Sequence, residues 1–126
     1  MNQFDLLSTC RNQLTQLSKK KILLAYSGGI DSSALLDCLH KISQEEELSL
    51  RTMHVNHGLS SEAKVFANHC IDITRQLNIR HHTINININS SSNIEELCRK
   101  KRYEALTENC QEDEVIFTAH HEEDQV

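Results

Sequence analysis

An α/β fold, with a mostly parallel sheet and helices on both faces, is what this sequence predicts. A short, continuous apolar run, ILLAY at 22–26, and the largely apolar EVIFTA at 114–119 have the length and character of buried strands. Longer segments between them place apolar side chains at steps of three and four, the spacing of a helix with one buried stripe. Strand and helix alternate along the chain, which implies crossover connections and therefore parallel pairing.

The elements follow in order. Residues 3–18 set Phe4, Leu7, Cys10, Leu14 and Leu17 on one helical stripe. Ile22 to Tyr26 form the first strand. Past Ser27, Gly28 and Gly29, the segment DSSALLDCLHKI reads as a helix with Leu35, Cys38, Leu39 and Ile42 facing inward. LRTMHV, residues 50–55, is the second strand, with Met53 and Val55 expected in the sheet interior. NHGLSS then leads to a helix marked by Ala63, Phe66, Cys70, Ile73 and Leu77. RHHTININI, residues 80–88, alternates isoleucine with asparagine, as a strand with one wet face near a sheet edge would. Ser92 followed by Glu95 is a capping-box pattern opening the next helix, and residues 114–119 close the series as a fourth strand.

Composition narrows the function classes. Thirteen Lys and Arg against eighteen Asp and Glu give a net charge of −5, so no global positive field attracts nucleic acid. Binding to nucleic acid would need a local basic patch or another part of the protein. The five cysteines, Cys10, Cys38, Cys70, Cys98 and Cys110, are odd in number and contain no CxxC, which points to reduced, structural thiols. The start, MNQFDLLSTCRNQL, has neither the basic and apolar regions of a secretion signal nor a membrane span. The expected location is the cytoplasm.

Parallel sheets bind ligands beyond the carboxyl ends of their strands, and three polar clusters fall there: SGGIDS, HVNHGLS and AHHEEDQ. The chain has three glycines in all, yet two of them adjoin at the first strand–helix junction. Such a junction exposes backbone N–H groups, and residues without Cβ let phosphate oxygens approach them. Ser27, Ser32 and Ser33 offer hydroxyls, while Asp31 suits a magnesium ion bridging phosphates. Neither GxGxxG nor the lysine-containing GxxxxGK(S/T) loop is present. The alternative is a tight turn in which Asp31 or Ser27 caps a helix.

Two other groups stay open on residue type alone. His54 and His57 either line a ligand or are satisfied turn residues, and no third ligand at zinc-like spacing stands near them. Glu95, Arg99 and Arg102 share one helical face, where they form either a phosphate clamp or an exposed Glu95–Arg99 pair beside solvated Lys100 and Lys101.

SGGIDS matches the SGGxDS signature of the PP-loop ATP pyrophosphatases, which cleave ATP between the α and β phosphates. Together, LLAYSGGIDSSALL, MHVNHGLS, IEELCRKKRYEAL and FTAHHEEDQ resemble the bacterial tRNA(Ile)-lysidine synthases over roughly residues 20 to 126. The resemblance implies ATP at Ser27, Gly28, Gly29, Ile30, Asp31 and Ser32, with Ile30 packing at the helix entry. His54, Val55 and His57 would run along the adenosine, with Gly58 turning the loop. Arg99 and Arg102 match the family's ExxxRxxRY pattern and would stabilise departing pyrophosphate, with Cys98 where Ala is common. His120, His121, Asp124 and Gln125 match AHHxxDQ, and Asp31 and Asp124 would hold Mg2+. Glu123 departs from the family's usual Asp.

The implied reaction adenylates the C2 oxygen of the wobble cytidine in tRNA(Ile) with a CAU anticodon, and free L-lysine then displaces AMP to give lysidine. The implied partners are that tRNA and lysine, with no membrane and a homodimer in the full-length protein. The rival readings are a tRNA thiolase, although many of those use CxxC cysteines or an iron–sulfur cluster, an amide-forming PP-loop ligase, and a nucleotide-binding module without catalysis. Residues 1–19 are expected as an N-terminal helix and 20–126 as a partial PP-loop domain. Family members are longer, so a fragment or truncated relative, binding ATP weakly by itself, is the expectation.

Overall fold

The computed structural model describes residues 3–17, 21–58, 61–89 and 92–119. Eight elements alternate: α1 (Gln3–Leu17), β1 (Lys21–Ala25), α2 (Ile30–Glu45), β2 (Ser49–Asn56), α3 (Ser61–Gln76), β3 (Arg80–Asn85), α4 (Ile94–Asn109) and β4 (Glu114–Thr118). The strands form one sheet in the order β3-β2-β1-β4. Every pairing is parallel, with Ile22 level with Leu50 on one side and Val115 on the other.

Side-chain alternation divides the core between the two faces of the sheet. Ile22, Leu24, Tyr26 and Phe117 point to the face covered by α1, α2 and α3, where they meet Leu35, Leu36, Leu39 and Ile42 together with Cys10, Leu14 and Cys70. Leu23 and Met53 point the other way and meet Leu106 of α4, with Ala25, Val55, Ile84 and Ile116 around them. Leu39 and Ile42 are fully buried. Burying a side chain of that size contributes roughly 1.5–3 kcal/mol.

The strand order explains why α4, among the described elements, stands alone on its face. From β1 the chain steps outward to β2 and β3 through α2 and α3. It then returns across the sheet to β4, on the far side of β1. Successive right-handed crossovers in opposite directions put their helices on opposite faces. The reversal leaves a crevice between the carboxyl ends of β1 and β4, the place where open parallel sheets take ligands.

Three local expectations are corrected. Phe66 was expected inward on α3 but is 44% exposed, and Ala67, Cys70 and Thr74 are the buried residues of that helix. The helix is rotated so that Phe66 faces the crevice. β3 is an edge strand as the alternation implied, yet it stops at Asn85 instead of reaching residue 88. Its neighbour β2 ends at Asn56, whose carbonyl accepts the N–H of Ile86, so nothing remains for a longer strand to pair with. α4 begins one residue later than the Ser92–Glu95 box predicts. Its N-cap is Asn93, in the left-handed region at φ 54, without a side-chain capping bond. Glu95 and Glu96 in the first turn still complement the helix dipole.

A buried ion pair that sequence reading did not foresee ties the far end of the sheet together. Arg51 on β2 reaches across to Glu114 on β4 with two hydrogen bonds of 2.6 Å each. The same guanidinium donates to the Asn109 carbonyl at the end of α4 at 2.7 Å. Glu114 also accepts the Gln111 N–H. Arg51 thereby holds the carboxyl well below its ordinary value, and the backbone N–H adds to the effect. None of the five cysteines is in a disulfide. Among the described residues, no helix is long and apolar enough to cross a membrane.

Candidate functional site

The crevice at the reversal point is a cleft of about 1270 Å³. One wall is the β1–α2 junction. Beyond β1, Tyr26 continues the ladder by donating its N–H to the Met53 carbonyl at 2.9 Å. The chain then turns sharply through Ser27, Gly28 and Gly29 into α2. The Ser27 N–H donates to the Ser32 hydroxyl at 2.9 Å, and the Gly29 N–H donates to the Ser27 hydroxyl at 3.3 Å.

The two glycines differ. Gly28 has φ +87, a region that L side chains rarely adopt. A Cβ there would also stand 3.2 Å from the Cys70 sulfur and 3.3 Å from the Phe66 ring. Gly29 is extended, at φ −78 and ψ 178, and serves as the N-cap of α2 without a side-chain capping bond. The first turn of α2 therefore stands at the cleft wall formed by Gly29, Ile30, Asp31 and Ser32. Asp31 is exposed there. Ser32, by contrast, is 3% exposed and turned inward to organise the loop. Ile30 does not pack at the helix entry as expected: it is 89% exposed on the rim.

The opposite wall is α4, which presents Arg99, Lys100, Arg102 and Tyr103 to the cleft. Arg99 and Arg102 thus share one face, as their spacing predicts. The acidic residues of α4 on the lining are Glu96 and Glu104, with Glu95 outside it. Met53, Val55 and Ile116 contribute apolar surface from the strands, and His57 and Phe66 line the β2–α3 side. Tyr103 is 68% exposed. It and Phe66 were not picked out for the site by sequence reasoning, although Tyr103 closes the ExxxRxxRY pattern.

His54 sits deeper, 8% exposed. Its Nδ1 lies 3.0 Å from the Tyr26 carbonyl. A carbonyl only accepts, so the proton is on Nδ1. Burial lowers the His54 pKa, with Arg102 and His57 adding repulsion against the opposing effect of the Tyr26 carbonyl. The imidazole is therefore neutral at pH 7. Val55 and His57 are half-buried at the end of the same strand. No group of three or more potential metal ligands occurs among the described residues. Asp124, with His120, His121, Glu123 and Gln125, lies outside them.

Fold and site together define an α/β protein whose glycine-containing loop lines a cleft where the strand order reverses, the position at which open parallel sheets take ligands. The sequence profile of the PP-loop domain matches residues 5–126, and the chain belongs to that ATP-binding family. It is 43% identical over 123 residues to a tRNA(Ile)-lysidine synthase of Histophilus somni, covering 96% of this chain and 29% of the relative. It is 40% identical over 113 residues to the enzyme of that name from Buchnera aphidicola, covering 89% and 25%. The chain thus spans under a third of the length of these relatives. Among solved structures it resembles the U34-tRNA thiolase NcsA of Methanococcus maripaludis, determined with its 4Fe–4S cluster. The TM-score is 0.67 at 16% identity, covering 84% of this chain and 40% of that one, a likeness of fold.

Proposed function

We propose that this chain is the ATP-binding portion of a tRNA(Ile)-lysidine synthase, with residues 20–126 forming part of the catalytic domain and residues 1–19 a helix packed against it. The observation that carries the proposal is the opposition, across one cleft, of the Ser27–Gly29 loop and the Arg99–Arg102 face of α4. A loop that donates backbone N–H groups holds phosphates, and guanidinium groups facing it stabilise the charge that appears when pyrophosphate leaves. The names of the relatives supply the substrate.

In the proposed reaction, the C2 oxygen of the wobble cytidine in tRNA(Ile) with a CAU anticodon attacks the α-phosphorus of ATP. The bond from that phosphorus to the β-phosphate bridging oxygen breaks, and pyrophosphate departs. The ε-amino group of free L-lysine then attacks C2, the C2–O bond breaks, AMP leaves, and the amine loses a proton. The first turn of α2 and its loop would orient the triphosphate, and Arg99 and Arg102 would take up the growing negative charge. Asp31, an exposed carboxylate at the cleft wall, has the oxygen chemistry that Mg2+ prefers. Asp31 and Asp124 would hold the ion, which supplies charge neutralisation on the phosphates. The enzyme would act in the cytoplasm, and its full-length form as a homodimer.

The test is AMP and pyrophosphate release by the polypeptide as its gene encodes it, supplied with ATP, Mg2+, lysine and CAU-anticodon tRNA(Ile). Release that requires both lysine and that tRNA supports the proposal. ATP binding without AMP release would mean a nucleotide-binding module, and release that requires a sulfur donor would mean a thiolase. Arg99→Ala or Arg102→Ala should lower turnover by about 10²-fold, the scale of losing one transition-state charge partner. Asp31→Ala should weaken magnesium-dependent ATP turnover, and unchanged AMP release would remove its assigned role.

A further inference from the structure

The carbonyl of Tyr26 is the last acceptor of β1 before the phosphate loop, and two side chains from different elements converge on it. His54 of β2 donates from Nδ1 at 3.0 Å. The Cys70 thiol of α3 lies 3.7 Å from the same oxygen and 3.8 Å from that ring nitrogen. All three residues are buried: Tyr26 at 1%, His54 at 8% and Cys70 at 0% exposure. The Cys70 sulfur is also the atom closest to where Gly28 would carry a Cβ, at 3.2 Å. His54 and Cys70 therefore hold the peptide on one side of Ser27, while Cys70 packs against the residue on its other side. Ser27 itself is tied across the loop to Ser32.

We infer that His54 and Cys70 are positioning residues for the phosphate loop, fixing the Tyr26 peptide plane and hence the direction of the loop N–H groups, and that His54 acts through Nδ1 rather than by touching the nucleotide. The inference rests on the nucleotide-binding reading of the cleft only for its consequence; the loop geometry stands apart from it. Burial raises the Cys70 thiol to about 12, so it packs and donates weakly without acting as a nucleophile. His54 is neutral at pH 7 and has one proton to give. The groups facing it from the neighbouring elements are Arg102 of α4, His57 beyond β2, His81 of β3 and the Cys70 thiol of α3.

The geometry of amide side chains supplies the test. An Asn amide nitrogen occupies about the place of His Nδ1, whereas a Gln amide nitrogen occupies about the place of Nε2. His54→Asn should rescue what His54→Gln loses. The first readout, made without nucleotide, is hydrogen exchange at the Ser27 amide, with folding checked by thermal denaturation. Exchange should be roughly tenfold faster in H54Q than in H54N, the equivalent of about one lost hydrogen bond. The second readout is Mg-ATP affinity, expected to fall by a similar factor in H54Q and to recover in H54N.

Equal Ser27 exchange in the two variants overturns the positioning role. Affinity retained by H54Q and lost by H54N also overturns it, because His54 would then meet the nucleotide through Nε2. If H54N does not fold, Cys70→Ser and Cys70→Ala replace the pair: Ser27 exchange slower in the serine variant supports the role, and equal exchange overturns it. Should the native chain show no ATP affinity, the nucleotide reading fails while the exchange result still decides the loop geometry.

Discussion

At the scale of single residues, Gly28 and Gly29 have separate reasons to be glycine. Gly28 combines φ +87 with a Cβ position crowded by Cys70 and Phe66, so Gly28→Ala should cost about 1–3 kcal/mol in chemical denaturation. Gly29→Ala meets only the Ser27 hydroxyl at 3.5 Å from extended backbone, and should leave folding nearly unchanged. If Gly29→Ala weakens Mg-ATP binding while the fold holds, the missing side chain at Gly29 serves the ligand. The glycine pair was legible in the sequence because glycine is scarce in the chain and adjoins an apolar run. The use of Ser32 was not. Its hydroxyl was read as available to a ligand, and it also accepts the Ser27 N–H from within the loop. Nor was the meeting of His54 and Cys70 at Tyr26, since 28 and 44 residues separate those partners from it and no local pattern records the approach.

At the scale of elements, apolar runs, the isoleucine–asparagine alternation, three-to-four spacing and a capping box located the strands and helices among the described residues, whereas their ends depended on partners. β3 stops where β2 stops, and α3 turns Phe66 outward because Ala67, Cys70 and Thr74 fit the sheet. The Arg51–Glu114 pair belongs to this scale, joining β2, β4 and the end of α4. Truncating one partner leaves the other charge buried, so Arg51→Met or Glu114→Ala should each cost about 3–5 kcal/mol, whereas changing both to apolar residues should cost less. Glu114 has a lowered pKa, so the unfolded chain binds its proton first as pH falls. Its contribution is complete above the ordinary value of 4.5 and is lost as pH drops through the folded value. His81 gives a second acid-side effect. Burial first, then His54 and His82, lower it to about 4, while Thr52 and Thr83 bond its two nitrogens. The folded state therefore resists a proton that the unfolded chain accepts from pH 6.5 downward. Urea denaturation of the native chain should show stability declining between pH 6.5 and 4, with a shallower decline in His81→Gln.

At the scale of the whole molecule, the alternation of elements gave the parallel sheet. Placing ligand chemistry at the carboxyl ends of its strands gave the cleft, including the shared face of Arg99 and Arg102. Strand order was not legible, because periodicity says that a segment is a strand without saying which neighbour it takes. That order has a consequence for how the protein acquires its site. Ser27 to Asp31 on one wall and Arg99 to Arg102 on the other are far apart in the chain, and α4 packs on the sheet face opposite the one covered by α2 and α3. The loop, with its neighbours β2 and α3, is synthesised before the arginine wall exists. On a ribosome, or in a refolding mixture, the outward steps from β1 to β3 are each local, whereas the return through α4 to β4 closes a long loop and is entropically slower. Pulse-labelling exchange should therefore find amides of β1, β2 and β3 protected before those of β4, and nucleotide affinity rising only with the later phase. A chain caught between the two phases would hold its Ser27–Gly29 turn open to water, formed but without the charges that face it.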